Sequence, residues 1–326
     1  MVKASRTAIR AVSLPLSLRQ VFELERFPSV PYRIVESEPR LKEDPEIVAQ
    51  HEAAVAALHE ELEERLAQTD RKEVVIFIHG FNVNFEHAVF TSAELWHFMG
   101  RQGVPICYSW PAGRGLSGRG YTYDTVSSEF TVFHLKQTLR AVARCKAVEK
   151  VHILAHSRGT AVATTALCEL MAEHRHFKDS ARSALKLGNV ILTAPDLDYE
   201  VTQQKLGGEH VMHLPERMTV YTHPGDKALA AADILTLGMA RLGNLAPMDM
   251  TENLREMLQS APLSMIEARV SAGFIGHSYF IDSPAVSSDL ILVLRDNLNA
   301  GKKSGRPLIE RMKNFWQIRD DYLKKR

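Results

Sequence analysis

Apolar positions along the 326-residue chain follow two alternating rhythms. Over residues 46–66, Ile47, Ala54, Leu58, Leu62 and Leu66 recur at spacings of seven and four with glutamates between them, which predicts an amphipathic helix. Residues 74–78 are apolar throughout, rich in β-branched side chains and followed by His79-Gly80, which predicts a strand buried on both faces. The two rhythms then alternate. Helices are expected at 86–101, 125–145, 159–173, 228–241 and 286–297, and strands at 104–109, 151–155, 187–193, 218–222 and 265–270.

Strands that alternate with helices of this length imply right-handed βαβ units, hence one mostly parallel sheet with helices on both faces. The predicted class is a doubly wound, three-layer α/β/α sandwich. Two stretches break the rhythm. Residues 111–124 contain Gly113, Gly115, Gly118 and Gly120 and read as a surface loop; residues 243–262 read as irregular or weakly helical, part of a rim over a pocket. The expected organisation is an N-terminal arm and helix over 1–70, a catalytic domain over 71–300 and a tail over 301–326. Leu308, Met312, Phe315 and Trp316 suggest that the tail is a helix docked on the domain, with a membrane-binding tail as the alternative.

Composition adds exclusions. Forty basic and 39 acidic residues leave a formal charge of +1, which gives no reason to expect nucleic acid as a partner. Cys107, Cys145 and Cys168 are the only cysteines. Their odd number and apolar settings argue against a disulfide framework and for a reducing compartment, so a cytoplasmic location is expected. No apolar run reaches the ~18 residues that a spanning helix needs. Ser13, Pro15 and Ser17 interrupt the apolar stretch near the start, against a secretory signal, while the early arginines leave a transit peptide open.

The chemistry concentrates after the 151–155 strand. Ala155-His156-Ser157-Arg158-Gly159 joins that strand to a helix of small residues, the context of a nucleophile elbow. A turn so tight needs near-absent side chains two places before and after the serine, and Ala155 and Gly159 supply them. The helix start would aim unpaired N–H groups at a developing oxyanion. A serine that merely caps a helix is the plainer reading. The N–H of Arg158 would be one oxyanion donor; its side chain would either meet an anionic substrate group or pair with a neighbouring carboxylate.

The earlier strand ends in Ile78-His79-Gly80-Phe81-Asn82, a turn suited to supply the second donor from Phe81, with Asn82 locking the loop and His79 tying it down. A serine nucleophile needs a base and a carboxylate to orient that base. Of 14 histidines, His277 in Gly276-His277-Ser278-Tyr279 follows the 265–270 strand and fits the base best. Asp226, after His223-Pro224-Gly225, is the favoured acid; Asp196 in Pro195-Asp196-Leu197-Asp198 competes.

These segments, with Ser109-Trp110-Pro111, Tyr123-Asp124 and Gly225-Asp226-Lys227-Ala228-Leu229, resemble a bacterial family of α/β hydrolases of unassigned function. The resemblance spans about residues 74–297 and implies the α/β-hydrolase fold with an esterase-like triad of Ser157, Asp226 and His277. The expected activity is hydrolysis of a small-molecule carboxylic ester through an acyl-enzyme, with no metal or organic cofactor. A thioesterase or lipid deacylase with the same triad, or a catalytically silent binding module, are the alternatives.

Overall fold

The computed structural model describes residues 41–326 except 114, 175–177, 237–239, 246–250, 261 and 326, together with segments 10–12, 21–23 and 32–34. The described early segments form two antiparallel ribbons, Arg10–Val12 with Val21–Glu23 and Tyr32–Ile34 with Leu41–Glu43. Most of the expected N-terminal arm lies outside the described residues.

An eight-stranded sheet forms the centre. Its strands are β1 (Glu73–Ile78), β2 (Val104–Tyr108), β3 (Lys150–His156), β4 (Leu187–Thr193), β5 (Arg217–Thr222), β6 (Leu263–Arg269), β7 (Ile309–Met312) and β8 (Phe315–Arg319). Their order across the sheet is β7-β8-β6-β5-β4-β3-β1-β2. Every neighbouring pair is parallel except β7 with β8. This is the α/β-hydrolase fold.

The sheet is buried on both faces because its strands are apolar at both parities. In β1, Val74, Ile76 and Ile78 enter one core layer and Val75 and Phe77 the other. In β3, Val151, Ile153 and Ala155 join the first layer and Leu154 the second. The first layer is covered by α1 (Pro45–Ala67), α3 (Gly118–Arg144) and α4 (Gly159–Glu173), which contribute Leu58, Leu62, Leu66, Leu135, Leu139, Val162 and Leu167. The second is covered by α2 (Phe85–Phe98) and α6 (Pro284–Leu294), through Leu95, Val286, Leu290 and Val293. A further helix, α5 (Lys227–Leu235), lies at the carboxyl edge.

Three expectations need correction. Helix α3 begins at Gly118, inside the stretch read as loop: Ser117 caps it by accepting from the Gly120 N–H at 3.1 Å, and Gly120 is buried in that first turn. Residues 243–262 include a regular helix, Glu252–Ser260. The tail forms not one docked helix but β7 and β8, so its residues 309–312 and 315–319 belong to the central sheet. Phe315 and Trp316 enter opposite core layers, which is the period of a strand; Asn314 makes the turn with φ +64°. Strand β8 lies parallel to β6, with Met265 opposite Phe315 and Ala268 opposite Ile318.

Candidate active site

The chain leaves β1 for β2 on one side and reaches β3 on the other, so a crevice opens beyond the carboxyl ends of β1 and β3. Ser157 stands at its edge. Its φ of +52° is a left-handed conformation rarely adopted by a side-chain-bearing residue. The surroundings enforce it: the Ser157 N–H donates to Thr193 O at 3.0 Å, and its carbonyl accepts from Thr160 N at 3.0 Å and Thr160 Oγ1 at 2.6 Å. A Cβ on Gly159 would stand 2.4 Å from the carbonyl oxygen of His79 and 2.5 Å from that of Ile78. Only glycine fits there.

The loop after β1 closes on the same point. A Cβ on Gly80 would lie 2.6 Å from Ser157 Cβ, so the backbone carrying the Phe81 N–H passes directly beside the serine. Among the described residues, neither the Phe81 nor the Arg158 N–H donates to another protein group. Buried Asp124 pins this loop, accepting at Oδ2 from Asn82 N (2.9 Å) and Gly113 N (3.3 Å), while Asn82 Oδ1 accepts from Gly115 N at 3.0 Å. His79 is the expected tie: Nδ1 donates to Gly80 O at 3.0 Å, and Nε2 accepts from Trp110 N at 3.1 Å. Its ring stacks on Trp110, and burial pulls its pKa down to about 4.

Across the crevice, His277 Nδ1 lies 2.6 Å from Asp226 Oδ2. Asp226 is buried and caps α5, its Oδ1 accepting from Ala228 N and Leu229 N at 3.0 Å each. One oxygen is thus held by the N–H groups of a helix N-terminus, and the other faces the imidazole. Ser157 and His277 line one cavity of about 660 Å³. No hydrogen bond joins them in this resting arrangement; such bonds commonly tighten only when substrate is bound.

The rival acid lines the same cavity but is engaged by other groups. Asp196 accepts from Tyr121 Oη at 3.1 Å and pairs with Arg158 Nη1 at 3.6 Å and Arg241 Nε at 3.4 Å. The Arg158 guanidinium also donates to Thr125 Oγ1 at 2.6 Å and lies 5.1 Å from the centre of the Tyr121 ring. Of the two readings of Arg158, the structure shows the carboxylate pairing.

Two contributors escaped the sequence reading. His156 Nε2 donates to the His277 carbonyl at 3.2 Å, and the two rings lie 4.8 Å apart; burial holds its pKa well below the ordinary histidine value. Tyr279 Oη donates to Tyr221 O at 2.7 Å and accepts from Ala194 N at 2.9 Å, anchoring the segment just after His277 to the ends of β4 and β5. The adjacency of His156 to the serine was the available signal for the first; nothing in the sequence pattern marked the second.

Among the described residues, no group of three or more His, Cys, Asp or Glu is placed to hold a metal ion, and no helix is long and apolar enough to cross a membrane.

Residues 54–295 match the model of a family described as alpha/beta hydrolase of unknown function (DUF900). No curated protein sequence matches. Among solved structures, the chain is similar to lipase B of Aspergillus fumigatus at 12% identity, over 46% of this chain and 37% of the lipase, with a TM-score of 0.28.

Proposed function

We propose, since the chain belongs to this family of alpha/beta hydrolases of unknown function, that it cleaves carboxylic esters through an acyl-enzyme on Ser157. The observation that carries the reading is the 2.6 Å contact of His277 Nδ1 with Asp226 Oδ2, on a cavity that Ser157 also lines. With Nδ1 engaged, Nε2 is the nitrogen available to the serine proton.

In the acylation step, Ser157 Oγ bonds to the ester carbonyl carbon as its proton passes to His277 Nε2. The carbonyl oxygen takes up the negative charge and accepts from the N–H groups of Phe81 and Arg158. The bond to the alcohol oxygen then breaks, and the proton on Nε2 leaves with the alcohol. Water repeats the sequence on the acyl-enzyme: His277 takes its proton, the acid is released and the proton returns to Ser157. Asp226 stabilises the imidazolium in both halves. Thioesters and lipid esters would use the same groups, so the cavity must discriminate among them.

A fluorophosphonate probe tests the reading directly. Wild-type protein should be labelled, and both Ser157→Ala and His277→Ala should lose the label while keeping a cooperative unfolding transition. Folded wild-type protein that does not react would leave the chain a binding module and end the proposal.

A further inference from the structure

The cavity beside Ser157 has an apolar lining drawn from three separate segments: Leu116 before α3, Leu229 and Leu235 on α5, and Phe274 with Ile275 in the glycine-flanked loop before His277. Four of these are also large apolar side chains left open to solvent, with Leu116 and Phe274 each 85% exposed, Ile275 56% and Leu235 53%. An exposed apolar side chain is common when single. Four converging on the mouth of one cavity are not a scatter, and such a patch marks a binding surface.

Few free charges face this lining. Among the described residues, two carboxylates, Asp196 and Asp282, line the cavity and no lysine or arginine does. Asp196 is already matched by Arg158 and Arg241, and the Lys227 ammonium sits 3.9 Å from the centre of the Phe274 ring. The contacts this side offers a substrate are apolar rather than ionic.

We infer that the substrate is an ester whose acyl part is an apolar chain longer than acetyl, laid along the wall of Leu116, Leu229, Leu235, Phe274 and Ile275. A cavity of about 660 Å³ has room for a medium-length chain together with the ester and a modest alcohol.

The inference rests on the Ser157 reading above, and a series of p-nitrophenyl esters from acetate to palmitate, run beside the fluorophosphonate label, keeps the two apart. Each added methylene should raise kcat/KM about fourfold, the factor given by ~0.8 kcal/mol per buried methylene, up to a medium chain length and then level or fall. Leu235→Ser with Phe274→Ser should flatten that slope at least twofold per methylene. Ala231→Phe, on the same wall and solvent-exposed, should move the optimum to shorter chains. A succinate half-ester should react at least tenfold more slowly than the neutral ester of equal length. A labelled Ser157 with a flat or falling series from acetate onward, or preference for the anionic ester, overturns the inference while the hydrolase reading stands. An unlabelled Ser157 removes both.

Discussion

His277 and Asp226 meet at 2.6 Å through Nδ1 and Oδ2, while the other carboxylate oxygen caps a helix through two N–H groups. In the proposed triad, the acid is therefore fixed before any substrate arrives, and it fixes the tautomer of the base. Asp226→Asn keeps the cap but turns an acceptor into a mixed donor and acceptor. Turnover of a p-nitrophenyl ester should fall by about 10⁴ with the unfolding midpoint little changed. Asp196→Asn should instead lower stability, because Arg158 and Arg241 lose their counter-charge, with a much smaller effect on turnover. Reversed effects would move the triad acid to Asp196.

Gly80 should not tolerate even one added carbon. Its Cβ would press on Ser157 Cβ at 2.6 Å and the His156 carbonyl oxygen at 3.1 Å. Gly80→Ala should cost about 1–3 kcal/mol of stability in urea unfolding. Fluorophosphonate labelling should also slow at least tenfold, since the displaced groups are the proposed nucleophile and the proposed oxyanion donor. Wild-type labelling rates in this variant would show that the Phe81 N–H has no part in the reaction.

Acid should weaken the fold before it protonates most carboxylates. Burial lowers His79 to about 4, whereas in the unfolded chain it titrates near 6.5. Below pH ~6.5 the unfolded state takes a proton that the folded state refuses, so this stability is complete above that pH. It is lost as pH falls toward 4, by about 3 kcal/mol in all. His156, lowered by burial in the same way, steepens the decline. Urea midpoints at pH 7.5 and 5 should differ less in His79→Gln than in wild type; equal differences would reject the assignment.

The final strands are tied in by a buried charge. Arg306 donates to Asp289 through Nε at 2.9 Å and Nη2 at 2.7 Å, Tyr221 Oη donates to Asp289 at 2.7 Å, and Tyr322 Oη also donates there. Arg306→Leu leaves a carboxylate without its cation in the core and should cost about 3–5 kcal/mol. Asp289→Leu combined with Arg306→Leu should recover part of that loss. Urea unfolding of the two variants beside wild type decides it: a double variant no better than the single one would mean that the pair contributes through shape rather than charge.

The sheet was legible because burial on both faces leaves runs such as Val74–Ile78 and Leu187–Thr193 apolar at both parities. The elbow was legible because small residues, Ala155 and Gly159, bracket Ser157, and at Gly159 a side chain would collide with the carbonyls of Ile78 and His79. The tail was not. Leu308, Met312, Phe315 and Trp316 satisfy helical spacing, and only pairing with β6, some fifty residues earlier in the chain, selects the strand. The start of α3 was hidden by its glycines, which weaken a helix by propensity but are overridden by the Ser117 cap and packing. The apolar mouth of the cavity was equally hidden, since Leu116, Leu235 and Phe274 come from three segments that converge only in the folded chain.

His156 precedes Ser157 in the backbone and grips the carbonyl of His277 from 121 positions away. The loop that bears the imidazole contains two left-handed glycines, Gly273 and Gly276, and this contact joins the others that hold it, among them Lys227 N on Ile275 O at 3.0 Å. It ties the strand-to-helix corner directly to the backbone of the imidazole's own loop, so a tilt of that corner would be passed to the ring as well as to the hydroxyl.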